Sequence, residues 1–310
     1  MSTDAQNPVG QVYEVTPESL VGFASSLEGL RNLIEGLRGG MKFHFGFEDI
    51  RVHVQAMMRA CCENCYGSYA IPTPFSFVRA RRHDDPEALF QEMLDLGAPR
   101  PQEVKKFGRC NVPNQPILYC SLYPETALSE LDAQREEVFT LSAYGVRLGQ
   151  QVYACHVGEI DYYRRTYETY FGRNNQGNTR RLQDMEKNEQ WDSQCLLDAF
   201  LAEEFISPAK SQADYRVTSA FCDILWKNKR NDLDAIMYPS VAFREGRNFA
   251  LQTEAVAKKL ELLSMESKHE MGDVTKVVRV VDVLGYGIYR LKEIARLRSV
   301  DQNKLKWEIL

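Results

Sequence analysis

Four residues of one short stretch, residues 107–131, are of types that can bind and transform a charged ligand. Arg109 and Asn111 lie in a loop-like segment, Tyr119 ends a short apolar run, and Glu130 follows in a polar segment. A guanidinium can clamp an anion, a phenol offers an aromatic face, and a carboxylate can stabilise developing positive charge. A site that needs an anion clamp, an aromatic surface and a charged stabiliser could be built from these groups.

The elements around these residues predict that they are delivered to one place. The apolar run ILY at 117–119 is typical of a strand. Pro124 can begin a helix at its first turn, because the missing N–H costs nothing there. Thr126 and Glu130 are four residues apart and therefore share one face of that helix. The stretch thus predicts a loop, a strand, a tight turn and a helix, with the charged groups near one strand end.

Two other segments carry polar residues suited to the same kind of site. FVRAR at 77–81 reads as a strand in which Arg79 and Arg81 point to the same face. Far along the chain, Ser240 follows Pro239, and the proline fixes the backbone just ahead of the hydroxyl. Arg79 or Arg81, on a strand, and Ser240, in a turn, are thus further candidates for the site.

The order of these segments resembles the RES domain, a family named for an arginine, a glutamate and a serine. The segments that carry the resemblance are FVRAR (77–81), GRCNVPNQPILY (108–119), TALSE (126–130) and MYPSVAFREGRNFAL (237–251). The resemblance spans about residues 77 to 251. One departure is Cys110, which stands where the family often has tryptophan; it would alter the lining of the cleft rather than the charged set.

The resemblance implies an α+β fold like that of ADP-ribosyltransferases: a mixed sheet core with flanking helices and, here, an N-terminal helical extension. Known members consume NAD by hydrolysis or phosphorolysis of the nicotinamide–ribose bond, or transfer ADP-ribose to a protein. NAD is therefore the implied substrate, with inorganic phosphate as a second candidate ligand. Many members are toxins of toxin–antitoxin systems, which leaves an antitoxin protein open as a partner.

The resemblance also implies roles for individual residues. The implied catalytic residues are Arg79, Glu130 and Ser240, and the implied cofactor-binding residues are Arg79, Arg109, Asn111, Tyr119 and Ser240. The arginines would bind the pyrophosphate, and the tyrosine would face the nicotinamide ring. The glutamate would stabilise the cationic ribose, and the serine would hold the bound pose.

Alternatives remain open at this point. Arg81 is the alternative to Arg79 as the first arginine of the family. A RES-like scaffold that binds a nucleotide or a partner protein without turnover would share most of these features, although the intact set favours an enzyme. Apart from the family pattern, Glu130 and Ser240 are also typical of a helix surface and a turn.

The chain divides into three predicted parts. Residues 1–70 form an N-terminal helical extension, residues 71–260 the RES-like catalytic domain with an insertion at about 161–192, and residues 261–310 a β-rich extension packed on the core. A polar helix and a proline-rich loop over 83–107 would form one wall of the cleft. Apolar residues at helical spacing predict helices over residues 16–40, 47–65, 193–210 and 215–228.

Composition and charge narrow the class of protein. The 310 residues carry a net charge of −5, so no basic field favours nucleic acid as a partner. No apolar run approaches the roughly 20 residues that span a membrane. The first residues lack the basic and apolar regions of an export signal, so we expect a cytoplasmic protein. A homodimer is left open.

The cysteines and histidines do not predict a metal centre. Cys61, Cys62 and Cys65 form a CCxxC cluster, but the sequence contains no second CxxC and its histidines are dispersed. A structural zinc site usually draws four ligands from two paired half-sites. We therefore expect no metal, and we expect His156, within a strand-like run, to be a hydrogen-bonded structural residue.

Overall fold

The helices lie mainly before and between the strands. A computed structural model describes residues 16–61, 66–172, 175–228, 232–243, 245–267, 273–285 and 287–310. Its α-helices are α1 (Pro17–Ala24), α2 (Leu27–Gly36), α3 (Lys42–His44), α4 (Phe47–Cys61), α5 (Met93–Leu96), α6 (Pro124–Glu130), α7 (Glu159–Thr166), α8 (Gln176–Glu186), α9 (Trp191–Ile206), α10 (Arg216–Lys227) and α11 (Thr253–Lys259). A π-helical turn spans Leu37–Met41, and 3-10 turns span Pro101–Glu103 and Gln212–Tyr215.

The strands join into one sheet. They are β1 (Tyr69–Ala70), β2 (Ser76–Arg82), β3 (Ile117–Ser121), β4 (Val138–Val146), β5 (Tyr153–His156), β6 (Ala235–Pro239), β7 (Arg247–Gln252), β8 (Leu260–Leu262), β9 (Lys276–Gly285), β10 (Ile288–Asp301) and β11 (Lys304–Ile309). Their order is β1-β5-β6-β7-β3-β2-β4-β9-β10-β11, with β8 paired to β4. Only β5 and β6 pair in parallel among these strands. The predicted α+β class, with an N-terminal helical region, is confirmed.

The sheet opens between β2 and β3. These two strands share a single paired position, Val78 with Ser121, whereas β2 pairs with β4 from end to end and β3 does the same with β7. Beyond that position, Arg79 and Tyr119 belong to strands that no longer share backbone hydrogen bonds. The opening leaves room for side chains from both strands, and it is here that the candidate site lies.

The N-terminal helices pack on helices of the central region. Lys42 Nζ lies 2.9 Å from Glu204 Oε2, and both side chains are largely buried. Arg216 Nη1 on α10 donates to the carbonyl oxygens of Lys42 (2.8 Å) and Phe45 (2.7 Å). Apolar residues of α2, α4, α9 and α10 belong to one hydrophobic core. The N-terminal helices therefore pack against α9 and α10.

Two of the predicted helices differ from the structure. The predicted helix over 16–40 is interrupted after α1, because Ser26 caps a new helix: its hydroxyl accepts the Gly29 N–H at 3.0 Å. Within 83–107 the only α-helix is the four-residue α5. Pro86, Gly97 and the prolines after it punctuate this segment and favour turns over a continued helix.

The C-terminal strands brace the helix that carries Glu130. β9 pairs with β4 and forms a hairpin with β10. Val278 and Val280 of β9 pack in one cluster with Leu128 of α6. Tyr289 OH lies 3.2 Å from Ser129 Oγ, next to Glu130 in the chain. The tail thus extends the sheet and contacts the back of the candidate site.

A buried polar cluster lies under β5 and α7, away from the cleft. His156 Nδ1 lies 2.8 Å from Glu159 Oε2, and both side chains are fully buried, as expected of a structural histidine. Beside them, the carboxylate of Asp198 on α9 accepts the N–H groups of Gly158 (2.8 Å) and Asp161 (3.0 Å). Burial raises the pKa of Asp198 to about 6, and these hydrogen bonds offset only part of that rise.

Asp198 predicts a pH dependence of stability. The pKa of Asp198 in the folded protein lies above the unfolded value of 3.8. The stability that Asp198 contributes is therefore fully present below pH 3.8 and is lost as the pH rises through about 6. We expect the free energy of unfolding of the wild type, relative to Asp198→Asn, to increase by about 1 kcal/mol from pH 7 to pH 5. Urea denaturation at both pH values measures this change.

The exposed Asp192, on the same helix, supplies the matched control. Asp192→Asn should follow the wild type at both pH values. An identical difference between wild type and Asp198→Asn at pH 5 and pH 7 would show that Asp198 does not titrate in this range.

Candidate active site

Glu130 is fixed at the end of α6 by three donors on one carboxylate oxygen. Its Oε1 accepts the Ser240 hydroxyl at 2.6 Å, the Asn248 side-chain amide at 2.6 Å and the Val241 N–H at 3.2 Å. The residue is solvent-exposed, and Oε2 receives no hydrogen bond from the described residues. One oxygen therefore anchors the carboxylate, while the other is free to face a ligand.

Ser240 and Asn248 are themselves held in place. The Ser240 hydroxyl accepts the Phe243 N–H at 3.0 Å, so its single proton is directed at Glu130. The Asn248 Oδ1 accepts the Ser121 hydroxyl at 2.7 Å, which turns the amide nitrogen toward Glu130. Ser240, Asn248 and Ser121 are all buried. A strand end, a turn and a helix end thus converge on one carboxylate.

Arg79 is a half-buried cation that has no acidic partner among the described residues. Its Nη1 donates to the carbonyl oxygens of Leu96, at 2.9 Å, and of Gly97. Burial lowers the pKa of the Arg79 guanidinium from its ordinary value. No carboxylate of the described ranges lies within ion-pair distance of it. A charge that is partly removed from water is stabilised by a partner of opposite sign, so the remaining donors of Arg79 are suited to an anionic ligand.

Tyr119, on β3, and Asn111, in the loop that precedes β3, are hydrogen-bonded to each other. The Tyr119 hydroxyl donates to Asn111 Oδ1 at 2.8 Å and accepts the Cys110 N–H at 2.9 Å. The Asn111 amide donates to the carbonyl oxygens of Lys106 and Val112. Burial raises the pKa of Tyr119 well above its ordinary value. The phenol is thus occupied by the protein, and only its ring is left for a ligand.

Arg109 and Cys110 occupy opposite sides of this loop. The Arg109 guanidinium donates to the carbonyl oxygens of Ser207 (2.9 Å) and Glu204 (3.3 Å), both at the end of α9. Cys110 is fully buried, and its carbonyl accepts the indole N–H of Trp226 at 3.0 Å. The indole of Trp226, on α10, therefore packs against this loop.

These groups line one cavity, here called the central cleft, in the opening between β2 and β3. It has a volume of about 350 Å³ and is lined by Val78, Arg79, Ala80, Gly108, Arg109, Tyr119, Cys120, Ser121, Ala127, Glu130, Leu131, Tyr215, Tyr238 and Asn248. Of the residues predicted from sequence, Arg79, Arg109, Tyr119 and Glu130 are brought together there. Ser240 and Asn111 lie behind this lining, hydrogen-bonded to Glu130 and Tyr119 respectively.

Asn248, Tyr215 and Tyr238 line the cleft but were not among the predicted site residues. Asn248 directly precedes the apolar FAL run, and its place in the family-like segment 237–251 was the only available signal. Tyr215 ends a 3-10 turn and lies 5.7 Å from the Arg109 guanidinium. Tyr238 is buried on β6. The two tyrosines reach the cleft through tertiary packing, which local sequence does not report.

Arg81, the alternative to Arg79, lies on the same strand but lines a different cavity. Its guanidinium packs over the Phe90 ring at 4.8 Å. Arg79 lines both that cavity and the central cleft. Arg79, unlike Arg81, therefore borders the cavity that Glu130 and Tyr119 line, while its guanidinium is held by the carbonyl oxygens of Leu96 and Gly97 at the edge of the other cavity.

The described residues contain no group of three or more His, Cys, Asp or Glu side chains arranged to hold a metal ion. Of the CCxxC cluster, Cys61 is buried at the end of α4, and Cys62 and Cys65 lie outside the described residues. None of the helices within the described ranges combines the length and apolarity needed to cross a membrane.

Arg79 on a strand, Glu130 at a helix end and Ser240 in a turn are arranged around one cleft. A comparison with known families agrees with this arrangement. The RES domain family model matches residues 76–268, so the chain belongs to the RES domain family. Proteins of this family are in general NAD-related and toxin-type. No curated protein and no solved structure matched the chain.

Proposed function

We propose that this protein is an NAD-consuming enzyme that cleaves the nicotinamide–ribose bond by hydrolysis or phosphorolysis. One observation carries the proposal: an anchored carboxylate, Glu130, lines the central cleft together with two arginines, Arg79 and Arg109, and Arg79 has no acidic partner in the described part of the chain. A dinucleotide offers both complements, a pyrophosphate for the cation and a ribose that becomes positively charged for the carboxylate.

The cationic side of the cleft supports binding of the pyrophosphate. Arg79 uses Nη1 for two backbone carbonyls, which fixes its planar fork and leaves its other N–H groups for phosphate oxygens. Charge-assisted, paired hydrogen bonds of this kind are the strongest that a guanidinium makes. Arg109, held by the end of α9, supplies a second guanidinium from the other side.

The aromatic side supports binding of the nicotinamide ring. Tyr119, Tyr215 and Tyr238 all line the cleft. A flat, positively charged ring gains from the face of an aromatic side chain. Because the hydroxyl of Tyr119 is already bound by Asn111 and Cys110, its ring is held in a fixed orientation. Such a ring can orient the nicotinamide without ordering on binding.

Glu130 would act on the ribose. When the C–N bond breaks, its electron pair passes to the nicotinamide, which leaves as a neutral molecule, and the ribose carbon becomes cationic. The free Oε2 of Glu130 would stabilise that charge electrostatically. Water or inorganic phosphate then forms the new bond to the same carbon; attacking water releases a proton. Protein modification differs from these reactions only in the nucleophile.

Ser240→Ala is expected to slow the reaction without preventing folding. The substitution removes the hydroxyl that donates to Glu130 Oε1 at 2.6 Å, while Asn248 and the Val241 N–H still hold the carboxylate. A hydrogen bond to a charged group contributes about 1.5–3 kcal/mol, so we expect a fall in kcat of about ten- to a hundredfold. Initial rates of nicotinamide release measure it.

The half-buried Ser299, on β10, gives the matched control for this change. Ser299→Ala should retain the wild-type rate. Unchanged kcat in Ser240→Ala would remove Ser240 from the proposed site.

Product analysis tests the proposed reaction. Purified protein is incubated with NAD in the presence and absence of inorganic phosphate, and the products are separated by chromatography. Nicotinamide with ADP-ribose is expected for hydrolysis, and nicotinamide with phosphorylated ADP-ribose for phosphorolysis. Intact NAD in both incubations would contradict the proposal and favour a protein acceptor or a binding module.

The organisation and partners predicted from sequence are part of this proposal. We propose an N-terminal helical extension (1–70), a catalytic domain (71–260) and a C-terminal extension (261–310), in a cytoplasmic protein that uses no metal. An antitoxin protein and a second copy of the chain are the protein partners to be sought, by co-purification and by measuring the mass of the protein in solution.

A further inference from the structure

A second cavity adjoins the central cleft on the other side of Arg79. It has a volume of about 330 Å³ and is lined by Arg79, Arg81, Leu94, Asp95, Gly97, Ala98, Pro99, Arg100 and Glu103. Its outer wall is the segment between α5 and the 3-10 turn at Pro101–Glu103. Arg79 lines both cavities, so the two spaces are neighbours that share this residue.

The arginines of this cavity are not neutralised by its acids. Asp95 uses its carboxylate to accept the Glu92 N–H at 3.1 Å, and Glu103 accepts the Arg100 N–H at 2.8 Å. Neither Arg81 nor Arg100 forms an ion pair with a carboxylate anywhere in the ranges that the structure describes. The acids thus cap short turns of the wall, and the guanidinium groups are left for a ligand.

Arg81 is also oriented for binding. It lies on the same face of β2 as Arg79, two residues along, and its guanidinium packs over the Phe90 ring at 4.8 Å. Stacking on a ring restrains the guanidinium plane while leaving its N–H edges free. Arg79 and Arg81 therefore present two successive cations along one strand, and Arg100 lines the cavity with them.

We propose that this second cavity is the subsite for the adenosine diphosphate half of the dinucleotide, with Arg81 and Arg100 as its phosphate-binding residues. This inference rests on the proposed function for the identity of the ligand. The nicotinamide half occupies the central cleft, the pyrophosphate lies at Arg79 between the two cavities, and the adenosine half extends along the wall formed by residues 94–103.

The division of the ligand follows from the sizes and chemistries of the two cavities. The central cleft carries the aromatic rings and the anchored carboxylate, which suit a cationic ring and its ribose. The second cavity is lined mainly by charged residues, three arginines and two acids, which suits phosphate and sugar. A molecule with two nucleoside halves joined by a pyrophosphate matches two cavities joined by an arginine.

Equilibrium binding of ADP and of nicotinamide mononucleotide tests the proposal without any bond cleavage. ADP affinity, measured by calorimetry, is expected to fall about tenfold in Arg81→Ala and in Arg100→Ala, because each loses one charged hydrogen bond. Arg81→Lys should recover part of the loss, since it keeps the charge but not the fork. Nicotinamide mononucleotide should bind all these variants as it binds the wild type.

Arg298→Ala, which removes an exposed arginine on β10, is the control for a general change of charge. Absence of ADP binding to the wild type, or equal ADP affinity in wild type, Arg81→Ala and Arg100→Ala, would overturn the subsite. Because ADP binding is independent of turnover, loss of ADP affinity in the variants of a protein that leaves NAD intact would support the subsite while contradicting the proposed reaction.

Discussion

Glu130→Gln is expected to reduce nicotinamide release from NAD by about a thousandfold, the scale on which preorganised electrostatic groups act in enzymes. The glutamine has the same shape, and its carbonyl oxygen can still accept from Ser240, Asn248 and the Val241 N–H, the three donors that hold the native carboxylate. Only the negative charge facing the cleft is removed. The expected fall is therefore in kcat rather than in folding or in the KM for NAD.

Glu125 provides a matched control for this substitution, because it is an exposed glutamate on the same helix. Glu125→Gln should turn over NAD at the wild-type rate. Thermal unfolding of both variants checks that the helix is intact. If Glu130→Gln released nicotinamide as fast as the wild type, Glu130 would have no part in the chemistry.

Arg79→Ala is expected to weaken NAD binding by about a hundredfold. A half-buried guanidinium without an acidic partner in the described ranges gains from an anionic ligand, and a charged, paired hydrogen bond contributes up to about 3 kcal/mol. Arg79→Lys keeps the charge but not the planar fork and should lie between the wild type and the alanine variant. Calorimetric titration with NAD, in the Glu130→Gln background to prevent turnover, measures the affinity.

Folding must be checked separately for Arg79, because Nη1 also binds the carbonyl oxygens of Leu96 and Gly97. Removing the side chain leaves both acceptors without this donor, so some loss of stability is expected in the alanine variant. The urea midpoint of each variant separates that effect from binding. Unaltered NAD affinity in a folded Arg79→Ala protein would exclude Arg79 as the pyrophosphate ligand.

The local order of elements around the site was predictable from sequence. A short apolar run followed by Pro124 specifies a strand and then a helix, and the structure has β3 at Ile117–Ser121 and α6 at Pro124–Glu130. The alternation along β2 likewise placed Arg79 and Arg81 on one face. These features depend on near neighbours in the chain, and near neighbours are what periodicity and capping report.

Tertiary relations at the site could not be predicted. Nothing in the spacing shows that Asn248 donates to Glu130, 118 positions away in sequence, or that Tyr215 and Tyr238 line the same cleft. The opening of the sheet between β2 and β3 depends on how neighbouring strands and helices pack. Over 83–107, where a polar helix and a proline-rich loop were predicted, the α-helix is shorter than expected, since it is confined to α5 (Met93–Leu96); the prolines and Gly97 favour turns.

Packing also decides which residues line the cleft and which residues hold the lining residues from behind. Asn111 and Tyr119 are close in sequence, but only the structure shows that the asparagine binds the phenol and lies behind the ring. Ser240 similarly acts on the cleft through Glu130. Residue type indicates which groups can do chemistry, whereas the fold decides which of them reach the ligand.

The most direct test of the account is a proton NMR time course of NAD with the wild-type protein. The account predicts that the signal of the ribose proton at the nicotinamide bond disappears while free nicotinamide appears in equal amount. It further predicts that this conversion is about a thousandfold slower with Glu130→Gln. NAD that binds at Arg79 but stays intact over the full time course would contradict the proposed reaction and identify the cleft as a binding site without turnover.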